Sequence, residues 1–344
     1  MPPLPHTSPQ LRSREDCLAF DAQDPLATLR EQFALPQGKI YLDGNSLGVL
    51  PRAAVARVAQ VVQQEWGEGL IESWNSAGWI HLPHRIGDKI ARLVGADAGE
   101  LVVADSTSVN LFKVLSAALT VAQGGPQDRR TILSERGNFP TDLYIAQALA
   151  SQRGFELLLT DSPDEIPAQL AAGRVAVMML TQVDYKSGRL HDMAALTRFA
   201  HEHGALALWD LAHTAGALPV ALKAADADFA VGCGYKYLNG GPGAPAFVWV
   251  HPRHADRFEQ PLSGWMGHAA PFEFTPAYRP AEGISRYLCG TPALLSMAAL
   301  ECGVDSLLAA EPLGGMSALR RSGLVRHHTA RPCAARQPGG PGPR

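Results

Sequence analysis

The chain's 344 residues are 46% hydrophobic and carry a formal net charge of −3, an ordinary globular balance with no overall footprint for nucleic acid; an Arg-rich C-terminus is the local exception. Five widely spaced cysteines (Cys17, Cys233, Cys289, Cys302, Cys333) match neither a disulfide framework nor a CxxC zinc pattern, so no metal is expected and a reducing cytoplasm is. The N-terminal MPPLPHTSPQLRSRE lacks the apolar core of a signal peptide, and no run of about 18 apolar residues exists, so neither a leader nor a membrane span is expected.

In chain order, short apolar runs read as strands: LVVAD (101–105), TILSE (131–135), FELLLT (155–160), VAVMML (175–180), ALALWD (205–210), DFAVGC (228–233) and AFVWV (246–250). They are nearly unbroken, as expected of strands covered on both faces. Helical patterns fall between them, among them VNLFKVLSAALTVA, TDLYIAQALASQ and MAALTRFAHEHG. This alternation predicts an α/β fold with a mostly parallel wound sheet and helices on both faces; a closed eight-stranded barrel fits the same periodicity. There is no internal repeat.

Ligands of open α/β sheets bind beyond the carboxyl ends of the strands, so polar residues there are the candidates. The first strand runs into Asp105 and then STSVNL, which puts Ser106, Thr107 and Ser108 at a helix N-terminus. Free N–H groups and the positive dipole end suit a phosphate there, although Ser and Thr also serve as plain helix caps. A later strand ends in WDLAHTAG, where Asp210 follows apolar residues and His213 stands three positions on. A carboxylate in that setting needs a partner, unless it merely caps the next helix. Then GCGYKYLNGGPG places Lys236 just past a buried strand and before a glycine-rich turn. Burial disfavours an ammonium and favours an amine able to attack an aldehyde; the alternative is a lysine that snorkels to the surface. Taken together, a hydroxyl-rich helix start, a strand-end acid and a strand-end lysine are what pyridoxal 5′-phosphate needs: a phosphate site, an acid for its ring nitrogen and a lysine for its aldehyde.

The chain resembles the aminotransferase class V group of fold-type I pyridoxal-phosphate enzymes, and within it the kynureninase family. The resemblance rests on YLDGNSLG (41–48), SWNSAGW (73–79), RGNFPTDLY (136–144), WDLAHTAG (209–216), GYKYLNGGPGA (234–244) and SGWMGH (263–268), and it covers roughly residues 15 to 315. Cysteine desulfurases share the layout but usually carry histidine directly before the lysine, where this chain has Tyr235. The resemblance implies that Lys236 holds the cofactor and moves the substrate Cα proton, that Asp210 pairs with the ring nitrogen, and that His213 lies near the ring oxygen. It implies that Phe139 stacks on the ring, with Pro140, Thr141 and Asp142 completing that loop. Thr107, Ser108 and Tyr235 would reach the phosphate side, Thr181 another part of the cofactor, and Tyr235 would also serve as general acid–base. Trp265 and Thr291 would close the site from a neighbouring subunit, implying a homodimer. Trp74 and Trp79 would pack on an aromatic substrate, although most tryptophans are core. The implied reaction is hydrolysis of L-kynurenine, with its ring-hydroxylated form as a further substrate, to anthranilate and L-alanine in tryptophan catabolism.

Four segments are expected: an N-terminal segment (1–45), a large cofactor-binding domain (46–300), the start of a small C-terminal domain (301–321) and a tail (322–344). The tail, SGLVRHHTARPCAARQPGGPGPR, is rich in Arg, Pro and Gly, lacks periodicity and reads as disordered. A frameshift near Arg321 would explain it; the family's substrate-carboxylate arginine is expected in a further domain, without which cofactor binding with little hydrolysis is expected. A cysteine desulfurase or aminotransferase of the same fold, with Cys289 as a conceivable nucleophile, and an inactive cofactor-binding protein are the alternatives.

Overall fold

Strands form at all seven apolar runs: β1 (Leu101–Ala104), β2 (Thr131–Glu135), β3 (Glu156–Thr160), β4 (Val175–Thr181), β5 (Leu206–Asp210), β6 (Phe229–Gly232) and β7 (Ala246–Val250). They are seen in a computed structural model that describes residues 13–125, 129–258 and 260–318. The tail at 322–344, with the frameshift reading attached to it, lies outside the described residues.

The strands make one open sheet in the order β1-β7-β6-β5-β4-β2-β3, so the closed barrel is ruled out. Pairing is parallel from β3 through β2, β4 and β5 to β6; β7 runs antiparallel between β6 and β1. Reversing β7 leaves β1 pointing the same way as β2 to β6. The carboxyl ends of those six strands, and the start of β7, therefore share one edge.

Neighbouring residues on a strand part to opposite faces, as strand geometry requires. Met178, Leu180 and Trp209 pack with Ile86 and Ile90 of the helix Leu82–Val94 and with Leu300 and Val304 of the helix Leu294–Leu308. Val177, Met179 and Leu208 pack on the other side with Leu111, Val114 and Leu115 of the helix Thr107–Gln123 and Leu149 of the helix Pro140–Arg153. Leu115 is fully buried, so Leu115→Ala costs about 2–5 kcal/mol through lost transfer energy and the cavity left behind. The edge strand β3 departs from the expectation of cover on both faces: its residues alternate in exposure, with Leu158 36% exposed, because among the described residues no strand or helix closes over that face. Helix Leu294–Leu308 runs through the boundary expected at residue 300 and packs on the helices Arg52–Gln60 and Leu82–Val94. Among the described residues no helix is long and apolar enough to cross a membrane.

Candidate active site

Every polar group singled out at a strand end lies along the carboxyl edge. Past β6 the chain leaves the sheet through Cys233 and turns back on itself; the Gly240 N–H donates to the Gly234 carbonyl at 2.9 Å. A Cβ on Gly240 would stand 2.7 Å from Ala244 Cβ and 2.8 Å from that carbonyl oxygen, so the turn needs a glycine. From the other side Gly48 donates its N–H to Tyr235 O at 2.8 Å, and a Cβ there would meet Lys236 O at 2.2 Å. The YLDGNSLG segment is thus a backbone support for the lysine turn, a role its residues do not announce in the sequence.

Lys236 is 8% exposed, and its Nζ lies 2.7 Å from His213 Nε2. Burial, with the Lys236 charge adding to it, pulls the His213 imidazole down to about 4. The ring is therefore neutral at pH 7, and Nε2 accepts from the lysine while Nδ1 carries the proton.

Asp210 ends β5, and its Oδ1 accepts the Ala212 N–H at 2.7 Å. Asp142, on the first turn of the helix Pro140–Arg153, is the acid beside it. Both carboxyls are 4% exposed, and burial raises both; the Asp210 charge raises Asp142 further, well above the usual carboxylate range. Between two ionised carboxylates Asp142 Oδ2 would find no donor. Burial and the Asp210 charge thus favour the protonated form of Asp142, whose hydrogen bond in turn favours an ionised Asp210. Thr181 approaches Asp210 Oδ2 at 3.4 Å, but its hydroxyl donates to Asn138 Oδ1 at 2.5 Å. The Phe139 N–H donates to the same oxygen at 2.7 Å, which fixes the amide orientation. Asn138 was not singled out in the sequence, where it reads as the first residue of a turn.

Phe139 is 43% exposed, and its ring centroid lies 5.8 Å from Lys236 Nζ. A core aromatic would be covered; this ring is offered to the site. Tyr185 meets its edge at 5.5 Å and lies 6.3 Å from the His213 ring, a second residue that the sequence reading missed. It sits in a loop beyond β4 that has no periodicity to draw attention to it. Pro140 and Thr141 form the first turn of the helix, with Pro140 at a position where no N–H is needed.

On the phosphate side, Ser106 caps the helix Thr107–Gln123 by accepting the Val109 N–H at 3.3 Å, so for this serine the plain cap reading is correct. Thr107, Tyr235 and Thr291 line a single cavity of about 480 Å³ over that helix start, together with Cys289 and Gly243. Ser108 is exposed on the same turn and is not part of the lining. Burial raises the Tyr235 phenol, which therefore stays a proton donor. Thr291, expected from a neighbouring subunit, lines this cavity within its own chain. Trp265 packs edge-on against Trp74 at 5.5 Å, and Trp74 against Trp79 at 6.1 Å. Trp79 is 9% exposed and donates from Nε1 to Glu65 Oε2 at 2.7 Å, so for it the core reading holds. Cys233 is buried, and burial pushes its thiol up to about 12; Cys289 is half-buried in the cavity wall. Among the described residues no group of His, Cys, Asp and Glu could hold a metal ion.

These residues fit pyridoxal 5′-phosphate: a buried amine on a neutral imidazole, a buried strand-end carboxyl with a second beside it, an uncovered aromatic ring, and a hydroxyl-lined cavity at a helix start. The fold and site define a fold-type I pyridoxal-phosphate enzyme. The family Aminotransferase class-V matches residues 40–314. A kynureninase from Pseudomonas fluorescens is 58% identical over 317 residues, covering 92% of this chain and 75% of the relative, and one from Burkholderia pseudomallei (strain 1106a) is 56% identical over the same spans. The chain belongs to the kynureninase family. Among solved structures, a cysteine desulfurase from Thermococcus onnurineus NA1 superposes with a TM-score of 0.68 at 22% identity, over 82% of this chain and 70% of that one. A cystine C–S lyase in complex with cysteine persulfide gives 0.71 at 18% identity, over 82% and 74%. At those identities the likeness is of fold.

Proposed function

We propose that the chain hydrolyses L-kynurenine to anthranilate and L-alanine at the carboxyl edge of the sheet, as a homodimer of the cytoplasm. Bound there, pyridoxal 5′-phosphate supplies an electron sink for negative charge developing on the substrate. Lys236 Nζ would hold the cofactor aldehyde, and its free amine would carry the substrate Cα proton. The neutral His213 accepts a hydrogen bond from that lysine and keeps its amine aimed along the edge. Asp210, with Asp142 beside it favouring the protonated form, would keep the ring nitrogen protonated, and Phe139 would cover a face of the ring. Thr107 and Thr291 would bind the phosphate with the free N–H groups of the helix start. Tyr235, a protonated phenol beside Lys236, is the general acid–base for the cleavage step. In the overall reaction water adds its oxygen to the γ-carbonyl, which leaves as the anthranilate carboxylate. The Cβ–Cγ bond breaks, and Cβ takes a proton to give alanine.

The 2.7 Å contact between Lys236 Nζ and neutral His213, with the Asp210–Asp142 pair on the next strand end, carries this reading. The test mixes protein, cofactor and L-kynurenine and follows anthranilate fluorescence, with L-cysteine and sulfide detection alongside. Anthranilate with no sulfide is expected; sulfide with no anthranilate overturns the reading. Cofactor absorbance with neither product is the outcome expected if the substrate-carboxylate residues lie outside residues 13–318.

A further inference from the structure

Lys113 has no part in the chemistry above, yet it is among the most deeply buried side chains, with 0% exposure inside the helix Thr107–Gln123. An ammonium in that position is costly unless it is paired and hydrogen-bonded. Its Nζ forms an ion pair with Asp105 and donates to the Tyr287 carbonyl at 2.6 Å. Asp105 lines the 480 Å³ cavity, and Tyr287 directly precedes a segment that lines it. Asp105 is a lining residue directly before the helix start, 31% exposed at its side chain and in the left-handed region at φ 47°. Tyr287 leads into Leu288, Cys289, Gly290 and Thr291, which line the same cavity. One buried cation therefore ties the two walls together.

The charge balance matters more than the tie. A phosphate dianion bound among Thr107, Tyr235 and Thr291 would meet the Asp105 carboxylate in the same lining. Unneutralised, that carboxylate repels the ligand that the cavity is built to take. We propose that Lys113 is a positioning residue for the cofactor phosphate: it cancels the Asp105 charge from beneath and holds the Leu288–Thr291 wall in place. This rests on the reading that the cavity takes the phosphate.

The test compares equilibrium binding of pyridoxal 5′-phosphate and of pyridoxal, which lacks only the phosphate, by absorbance titration of the full chain. Both form the same covalent link to Lys236, so the ratio of their affinities isolates the phosphate contribution. Lys113→Met should lower this ratio by at least about tenfold, because the carboxylate is left bare. Adding Asp105→Asn in the same chain should restore it to within about threefold, since Asn also tolerates the left-handed backbone and removes the repelling charge. A merely structural role would weaken both ligands alike and leave the double variant no better; either result overturns the proposal. Should Lys113→Met not fold, Asp105→Asn alone decides, because it leaves the Lys113 charge uncancelled beneath the cavity. A raised ratio supports the proposal and a lowered one overturns it. If the unmodified chain binds the two ligands equally, the phosphate reading of the cavity itself fails, and the proposal with it.

Discussion

Replacing Asp210 by Asn keeps the side-chain shape and removes one charge. Oδ1 of Asp210 accepts the Ala212 N–H at 2.7 Å, so the Asn carbonyl takes that place and its NH₂ group falls where Oδ2 stands. An acceptor with a negative charge becomes a neutral donor, at the position proposed to hold the ring nitrogen protonated. A hydrogen bond to a charged group contributes about 1.5–3 kcal/mol net, and burial to 4% exposure leaves little solvent to screen its loss. The expected cost is therefore about 2.7 kcal/mol, or about a hundredfold in turnover. Asp142→Asn provides the contrast. Burial and the Asp210 charge favour a protonated Asp142, so an amide replaces a neutral group with a neutral one, and the expected loss is under about tenfold. The assay is anthranilate fluorescence on both variants at saturating cofactor, with cofactor occupancy read from absorbance. Near-normal turnover in Asp210→Asn, or a larger loss in Asp142→Asn than in Asp210→Asn, refutes the assignment of charge within the pair.

Gly48→Ala should push the Lys236 backbone outward, since the added methyl would sit 2.2 Å from Lys236 O; weakened cofactor binding with an unchanged far-ultraviolet spectrum is the readout. Asp228, 1% exposed and held by His201, His254, Arg253 and the Ala207 N–H, should lose about 3–5 kcal/mol of stability on replacement by Ala, measured by urea unfolding. Glu301 carries two cationic partners, Arg85 and Lys89, whose hydrogen bonds outweigh burial and bring its carboxyl down to about 2. A depressed acid contributes stability that is present above its unfolded value and lost as pH falls towards 2, so Glu301→Gln should flatten the acid limb of a melting-temperature profile between those limits.

The strands were legible because wound sheets with helices on both faces write each strand as an unbroken apolar run, and β1 to β7 all fall on such runs. The reversal of β7 was not legible, since a buried antiparallel strand carries the same apolar pattern as a parallel one. Nor was the exposed face of β3, because strand order decides which strand is an edge. At the site, Lys236, Asp210 and His213 stood out as polar residues ending apolar stretches. Asn138, Tyr185 and Gly48 did not, because each acts through a contact between segments distant in sequence. Thr291 was legible as a residue, and within the chain it lies in the wall of the cavity that Thr107 lines. Trp79 lies in a tryptophan cluster that packing claims.

Lys236 is the residue proposed to hold the cofactor, and every other role at the site depends on it. Borohydride reduction of the pyridoxal-phosphate-loaded chain, followed by proteolysis and mass spectrometry, fixes the cofactor to whichever lysine bears it. The expected result is label on the peptide containing Lys236, with Lys236→Ala losing both the label and the absorbance band of the lysine-bound cofactor. Label on Lys186 or Lys223 instead, or a band that survives in Lys236→Ala, would contradict it.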